Sequence, residues 1–160
     1  MSQVFTSLGL MTGTSGDGLD ISLMKSDGET FFDEIEDKFI PYSENIKSKY
    51  LNLREKINKK DDIVKYQKTI GELERDITLF HANNILSLFS KTKISNIDII
   101  GFHGQTIYHN SEEKLSLQVG NGNLLSQLLK KKVVVNFRKN DLKNNGVGAP
   151  LTPIFHKIIT

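Results

Sequence analysis

The chain has 160 residues, 38% hydrophobic and 25% charged, with a net charge of +2 and no cysteine. That is enough to bury a core in an ordered globular fold, and it excludes disulfides, thiol catalysis and cysteine-based zinc sites. No basic stripe with interleaved aromatics, signal pattern or membrane-length apolar run is present, so the expected partners exclude nucleic acid and membrane, and the expected location is cytoplasmic.

Val4–Met11 is a short apolar run that breaks at Thr12–Gly18. The pattern then resumes with period two, Leu19, Ile21 and Leu23 on one face and Asp20 and Ser22 on the other, which predicts a β-hairpin. Asp27-Gly28 marks a second turn, and Thr30–Ile40 reads as the third strand of a meander, ended by Pro41. Ser43 stands as an N-cap before Ile46, Tyr50, Leu53 and Ile57 at helical spacing. After a polar break at Asn58–Asp62, a long amphipathic helix carries Ile63, Tyr66, Ile70, Leu73, Ile77, Phe80, Asn84 and Leu88 as a core-facing stripe.

Ile97–Phe102 is an apolar run of the length and composition of a buried central strand. Ile107–His109 and Leu115–Val119 pair as another hairpin, and Asn121 caps a helix bearing Leu124, Leu125, Leu128 and Leu129. The Lys130–Lys132 run is a solvated helix end. Val133–Phe137 reads as a further buried strand, Arg138–Pro150 as a polar, glycine-bearing segment, and Thr152–Ile159 as the start of an apolar helix. The order β-β-β-α-α-β-β-β-α-β-α predicts a mixed α/β domain.

Three constellations carry chemistry. The turn Gly13-Thr14-Ser15-Gly16-Asp17-Gly18 exposes backbone amides in succession, a concave site for an anion, with hydroxyl donors from Thr14 and Ser15. Its acidic residues Asp17 and Asp20 make sense beside a phosphate if Mg²⁺ accompanies it, held by a carboxylate through water. The same composition also suits a plain surface hairpin, and no Gly-Lys-Ser/Thr of a P-loop is present. In the second constellation, His103-Gly104-Gln105-Thr106 leaves a buried strand, where polar side chains can meet a ligand's hydroxyls. His103 serves equally well as a residue that satisfies a backbone group, and its spacing to His109 is not that of a zinc site. In the third, Arg138 offers a planar fork for a carboxylate or phosphate, with Asp141 placed to orient it or to bind a hydroxyl. An exposed Arg–Asp pair of little energetic worth is the alternative there.

Together, in this order, these pieces resemble the anhydro-N-acetylmuramic acid kinase family. The motifs are GLMTGTSGDGLD at Gly9–Asp20, His103–Thr106, Leu117-Gln118-Val119-Gly120-Asn121, Asn136–Asp141 and Asn145–Leu151. The resemblance implies a mixed-sheet RNase H-like domain of the actin/sugar-kinase/Hsp70 ATPase superfamily. Residues 1–160 would be a truncated N-terminal domain, with the second ATPase domain absent from this chain. It implies ATP and Mg²⁺ as cofactors and an amino sugar as substrate, phosphorylated at O6 while water opens its 1,6-anhydro bridge, in peptidoglycan recycling. Gly13, Thr14, Ser15, Gly16, Asp17, Gly18, Leu19 and Asp20 would bind ATP, with Asp17 on the metal through water. His103, Gln105, Thr106, Arg138 and Asp141 would line the sugar site, Arg138 meeting the lactyl carboxylate. The aspartate base would lie past Thr160, leaving the isolated chain inactive, and a homodimer is implied by the same resemblance. The alternative is a non-catalytic sugar- or phosphate-binding module derived from that kinase.

The chain departs from the family pattern at Thr12, Gly16, Asn136, Asn145 and Val147. Gly16 stands where a bulky apolar residue is usual and is expected to loosen the loop. Asn136 removes a charge near Arg138, Asn145 replaces a glycine but tolerates a left-handed backbone, and Val147 loses an amide group.

Overall fold

A computed structural model of the chain describes residues 3–92 and 97–153. Three strands open it, β1 (Phe5–Met11), β2 (Gly18–Ser26) and β3 (Phe32–Pro41), paired antiparallel as the expected meander. Three helices follow, α1 (Glu44–Lys56), the short α2 (Lys60–Lys65) and α3 (Gln67–Thr92). Then come β4 (Ile99–Phe102), the hairpin β5 (Gln105–Asn110) and β6 (Leu115–Val119), α4 (Gly122–Leu129), β7 (Lys132–Val134) and α5 (Phe137–Lys143).

The main sheet has the order β3-β2-β1-β4-β7, with β4 parallel to both β1 and β7. It is mixed, antiparallel at one side and parallel at the other. The hairpin β5–β6 forms a separate two-stranded sheet. Both expected helix caps are in place: Ser43 Oγ accepts from Ile46 N and Asn121 Oδ1 from Leu124 N. No helix among the described residues is long and apolar enough to cross a membrane.

Period two in the strands decides where the core lies. Leu8 and Leu10 of β1, Leu19, Ile21 and Leu23 of β2, and Ile100 and Phe102 of β4 all point to one face of the sheet. There they meet Ala82, Ile85 and Leu88 of α3 and Leu125 and Leu129 of α4. Each such side chain contributes about 1.5–3 kcal/mol on leaving water. A second cluster joins Tyr50 and Leu53 of α1 to Leu73 and Ile77 of α3 and to Ile107 and Val119 of the β5–β6 hairpin. Phe80 packs against both clusters, so α3 is the shared wall.

Three expectations change. The long amphipathic helix is interrupted at Tyr66, so that Ile63 belongs to α2 and the stripe from Ile70 onward to α3. The buried strand read at Val133–Phe137 is a three-residue edge strand instead; Val134, Val135 and Phe137 are exposed, because nothing among the described residues covers that side of β7. Asn136 then takes a left-handed conformation, φ 63°, and starts α5, which places Arg138 and Asp141 on a helix rather than in a loop. The helix expected over Thr152–Ile159 falls outside the described residues beyond Pro153.

Candidate active site

Because β1, β4 and β7 run parallel, the segments that follow them gather at one edge of the sheet. These segments are Thr12–Asp17, His103-Gly104 and the start of α5. The three constellations, the second ninety-two residues after the first by its Gln105–Gly13 contact and the third thirty-five after the second by its Arg138–His103 contact, therefore share one end of the fold. Hydrogen bonds join the first two directly. Thr12 Oγ1 donates to Gly104 O at 2.8 Å, and Gln105 Nε2 donates to Gly13 O at 2.8 Å.

The Gly13–Asp17 turn is a closed, well-tethered loop. Gly16 N bonds Gly13 O, and Tyr42 N bonds Asp17 O. From α1, Tyr50 Oη and Arg54 Nη1 both reach Thr14 O, and Lys47 Nζ pairs with Asp17 Oδ1 at 3.1 Å. Gly16 has φ +71°, and a Cβ on it would stand 2.5 Å from the Tyr50 ring. Glycine at this position thus lets the loop pack under Tyr50, and the expected loosening is replaced by close contact. The Ser15 hydroxyl and the Lys47 ammonium hold the Asp17 carboxyl below its usual range. Leu19 and Asp20 lie in β2, Leu19 in the core and Asp20 on the exposed face.

The second and third constellations meet through one bond, Arg138 Nε to His103 Nε2 at 2.9 Å. A guanidinium can only donate, so Nε2 accepts and the ring proton sits on Nδ1, which donates to Gly104 O at 2.7 Å. Burial, with the neighbouring Arg138 charge, pushes the His103 pKa down, in keeping with a neutral ring. Arg138 is half-buried, and its terminal nitrogens have no partner among the described residues. His103 thus aims a charged fork whose two outer nitrogens are unpaired among the described residues.

His103, Arg138 and Asp20 line a groove of about 1040 Å³ on the sheet face opposite the core. Its floor is Gly9, Met11 and Gly101, and its walls include Phe39, Phe137 and the Gly148–Thr152 segment. Gln105, Thr106 and Asp141 lie outside these walls. Gln105 is fully buried, donating to Gly13 O and accepting from Tyr42 Oη. Thr106 Oγ1 accepts from Gln118 Nε2. Asp141 does not orient Arg138; its Oδ2 accepts from Gly148 N at 2.7 Å and so shapes the groove's wall. Asn145 carries the left-handed backbone expected of it, φ 66°, and accepts from Lys114 Nζ.

Tyr42, Lys47, Tyr50 and Arg54, which hold the loop, were not evident as site residues. The one available signal was Tyr50, a tyrosine within an apolar stripe, since a buried phenol needs a hydrogen-bond partner. Among the described residues no three acidic or histidine side chains gather as a metal site. One or two carboxylates with water and phosphate oxygens suffice for Mg²⁺. Asp20, which lines the groove and whose carboxylate has no partner among the described residues, can supply one such oxygen, while Asp17 is tied to Lys47.

A family model described as anhydro-N-acetylmuramic acid kinase matches residues 5–160. The anhydro-N-acetylmuramic acid kinase of Pelagibacter ubique is 54% identical over 159 residues, which cover 99% of this chain and 42% of that protein. That of Agrobacterium fabrum is 35% identical over 169 residues, covering 100% of this chain and 43% of its own. The Rhizobium etli protein of the same name is 33% identical over 158 residues, with 98% and 43% covered. This chain spans less than half the length of the curated relatives it matches.

Proposed function

The chain belongs to the anhydro-N-acetylmuramic acid kinase family, and from that premise we propose that it forms the phosphate- and sugar-binding part of an ATP-dependent kinase acting on 1,6-anhydro-N-acetylmuramic acid. The reaction is transfer of the γ-phosphoryl group to O6 with hydrolysis of the anhydro bridge, giving N-acetylmuramic acid 6-phosphate. The mixed sheet, with its parallel β1, β4 and β7 and a hairpin turn at the edge where they end, suits an RNase H-like half of an actin-type ATPase. The general base and the second ATPase domain would come from the part of the relatives that this chain does not span.

The observation that carries this reading is the fixed pair His103–Arg138 at one edge with the Gly13–Asp17 loop. Arg138 presents two free nitrogens at the groove, the geometry for bidentate capture of the sugar's lactyl carboxylate. Neutral His103 holds the guanidinium by its Nε and leaves its charge undiminished. The backbone amides of Thr14 and Ser15 would bind phosphate oxygens, and Asp20 and Asp17 would supply carboxylate oxygens to the accompanying magnesium. When bound, MgATP supplies the phosphoryl group and neutralises its charge. The chain's own residues supply position, which is most of what phosphoryl transfer asks of a protein.

The test is ADP release, enzymatically coupled, on the chain extended to its relatives' length with 1,6-anhydro-N-acetylmuramic acid as acceptor. Sugar-dependent ADP release with the 6-phosphate as product is expected. Arg138→Ala is expected to lower kcat/KM for the sugar at least about tenfold, the worth of a lost charged hydrogen bond. No sugar-dependent release, with sugar and nucleotide still bound, would leave a binding module in place of a kinase.

A further inference from the structure

One stripe of α1 faces the phosphate loop. Lys47, Tyr50 and Arg54 recur at spacings of three and four, so they stand above one another on the helix. Arg54 Nη1 lies 2.6 Å from Thr14 O, and Tyr50 Oη lies 2.9 Å from the same oxygen. Lys47 reaches Asp17, while the Tyr50 ring fills the space that Gly16 leaves free. On the other side of the loop, buried Gln105 pulls on Gly13 O, and Tyr42 fixes the far end of that amide.

The consequence follows from the planarity of the peptide bond. In a trans peptide the C=O and the next N–H point in opposite directions. Drawing the carbonyls of Gly13 and Thr14 toward the protein therefore turns the N–H groups of Thr14 and Ser15 away from it. Neither of these amides has a partner among the described residues. If the Thr14–Ser15 plane turned over, it would present a carbonyl oxygen to the anion instead of a donor.

We propose that α1 is a built-in clamp on the phosphate loop, with Tyr50 and Arg54 as positioning residues that fix the Thr14–Ser15 peptide in its anion-binding orientation. The proposal rests on the reading of this loop as a phosphate site. It adds two side chains that act through the loop's backbone. Their work is preorganisation: the loop does not have to be ordered when the nucleotide arrives. The two donors share Thr14 O, and the Tyr50 hydroxyl, whose single proton also has Thr106 O at 3.1 Å, ties the loop to β5 at the same time, so each donor adds its own part of the hold.

The test uses the chain extended to its relatives' length and calorimetric titration with MgADP and, separately, with 1,6-anhydro-N-acetylmuramic acid. Tyr50→Phe removes a hydroxyl and no charge, freeing Thr106 O along with Thr14 O; Arg54→Met changes an exposed side chain and leaves the core intact. Each is expected to weaken MgADP about three- to tenfold, the range of one hydrogen bond. The double variant is expected to lose more than the product of the two single losses, because the last hold on Thr14 O is gone. Sugar affinity is expected to stay within about twofold, a split that general destabilisation would not give.

Four outcomes would overturn the clamp: unchanged MgADP affinity in the double variant, a loss confined to Arg54→Met, a double loss no greater than that product, or a parallel loss of sugar affinity. A loss confined to Arg54→Met would mark simple charge attraction. Failure of the unmodified chain to bind MgADP would remove the phosphate-loop reading itself, and is distinguishable because no variant is needed to see it.

Discussion

The two faces of the main sheet are written in the same strands and have opposite properties. In β1, Leu8 and Leu10 are buried while Gly9 and Met11 line the groove; in β2, Leu19 and Ile21 alternate with Asp20 and Ser22; in β4, Ile100 and Phe102 flank Gly101, and His103 follows the strand's end. One face holds the fold together against α3 and α4. The other carries glycines and polar residues, with Met11, Phe39 and Phe137 exposed beside them along the groove. A single-residue step along a strand therefore separates the packed core from the open groove.

The comparison is tested most severely at Phe102 and its neighbour His103. Phe102→Ala empties a fully packed site beside His81 and should cost about 4 kcal/mol, read as a lowered midpoint in chemical denaturation. A loss below about 1 kcal/mol would show that the packed face is not what stabilises the sheet.

The next effect is on pH. His81 is fully buried on α3, with Nδ1 at Ile77 O and Nε2 without a partner among the described residues, and burial lowers its pKa from 6.5 to about 4. Below pH 6.5 the unfolded chain takes up a proton that the native state refuses. Stability is therefore full above pH 6.5 and falls as the pH drops toward 4, by about 3 kcal/mol at the lower end. His81→Leu is expected to remove this part of the acid slope in denaturant midpoints measured from pH 7 to 4.5. An unchanged slope would mean that protonation is met elsewhere.

On the open face the expectations reverse. Arg138→Met should cut kcat/KM for the sugar at least about tenfold in the extended chain while leaving stability within about 0.5 kcal/mol. Smallest of all, Met11→Ala is expected to move the denaturation midpoint by less than about 0.5 kcal/mol, because the side chain is already half in water. A large loss at Met11 would show that the open face carries structural weight, and the contrast would fail.

Much of this division was legible in the sequence. Alternation at Leu19–Leu23 and the apolar run Ile97–Phe102 gave the core strands, and Ser43 and Asn121 announced their helices. The motif residues were also visible, but their partners were not. Gln105 reads as a hydroxyl-binding amide, yet it is spent on Gly13, ninety-two residues away, and no local pattern reveals such a contact. Val133–Phe137 has the composition of a buried strand, but apolar residues mark what could be covered, and at the sheet's edge Val134 and Val135 are not. Gly16 looked like slack because a missing side chain shows in the sequence and the aromatic ring that takes its place does not.

The parallel pairing of β1 with β4 also has a consequence for how the chain is made. Ser7 pairs with Ile99, ninety-two residues later, so β1 leaves the ribosome long before its inner neighbour exists. At about 5–20 residues per second, the completed meander β1–β3 waits about 3–12 s for Ile99 to be made, with one row of β1's backbone groups unpaired. The sheet can close only after α1 and α3 have been synthesised, a late, non-local step of the kind that slows folding. A ribosome pause shortly before Ile99 would prolong the interval in which that edge is open to another nascent chain.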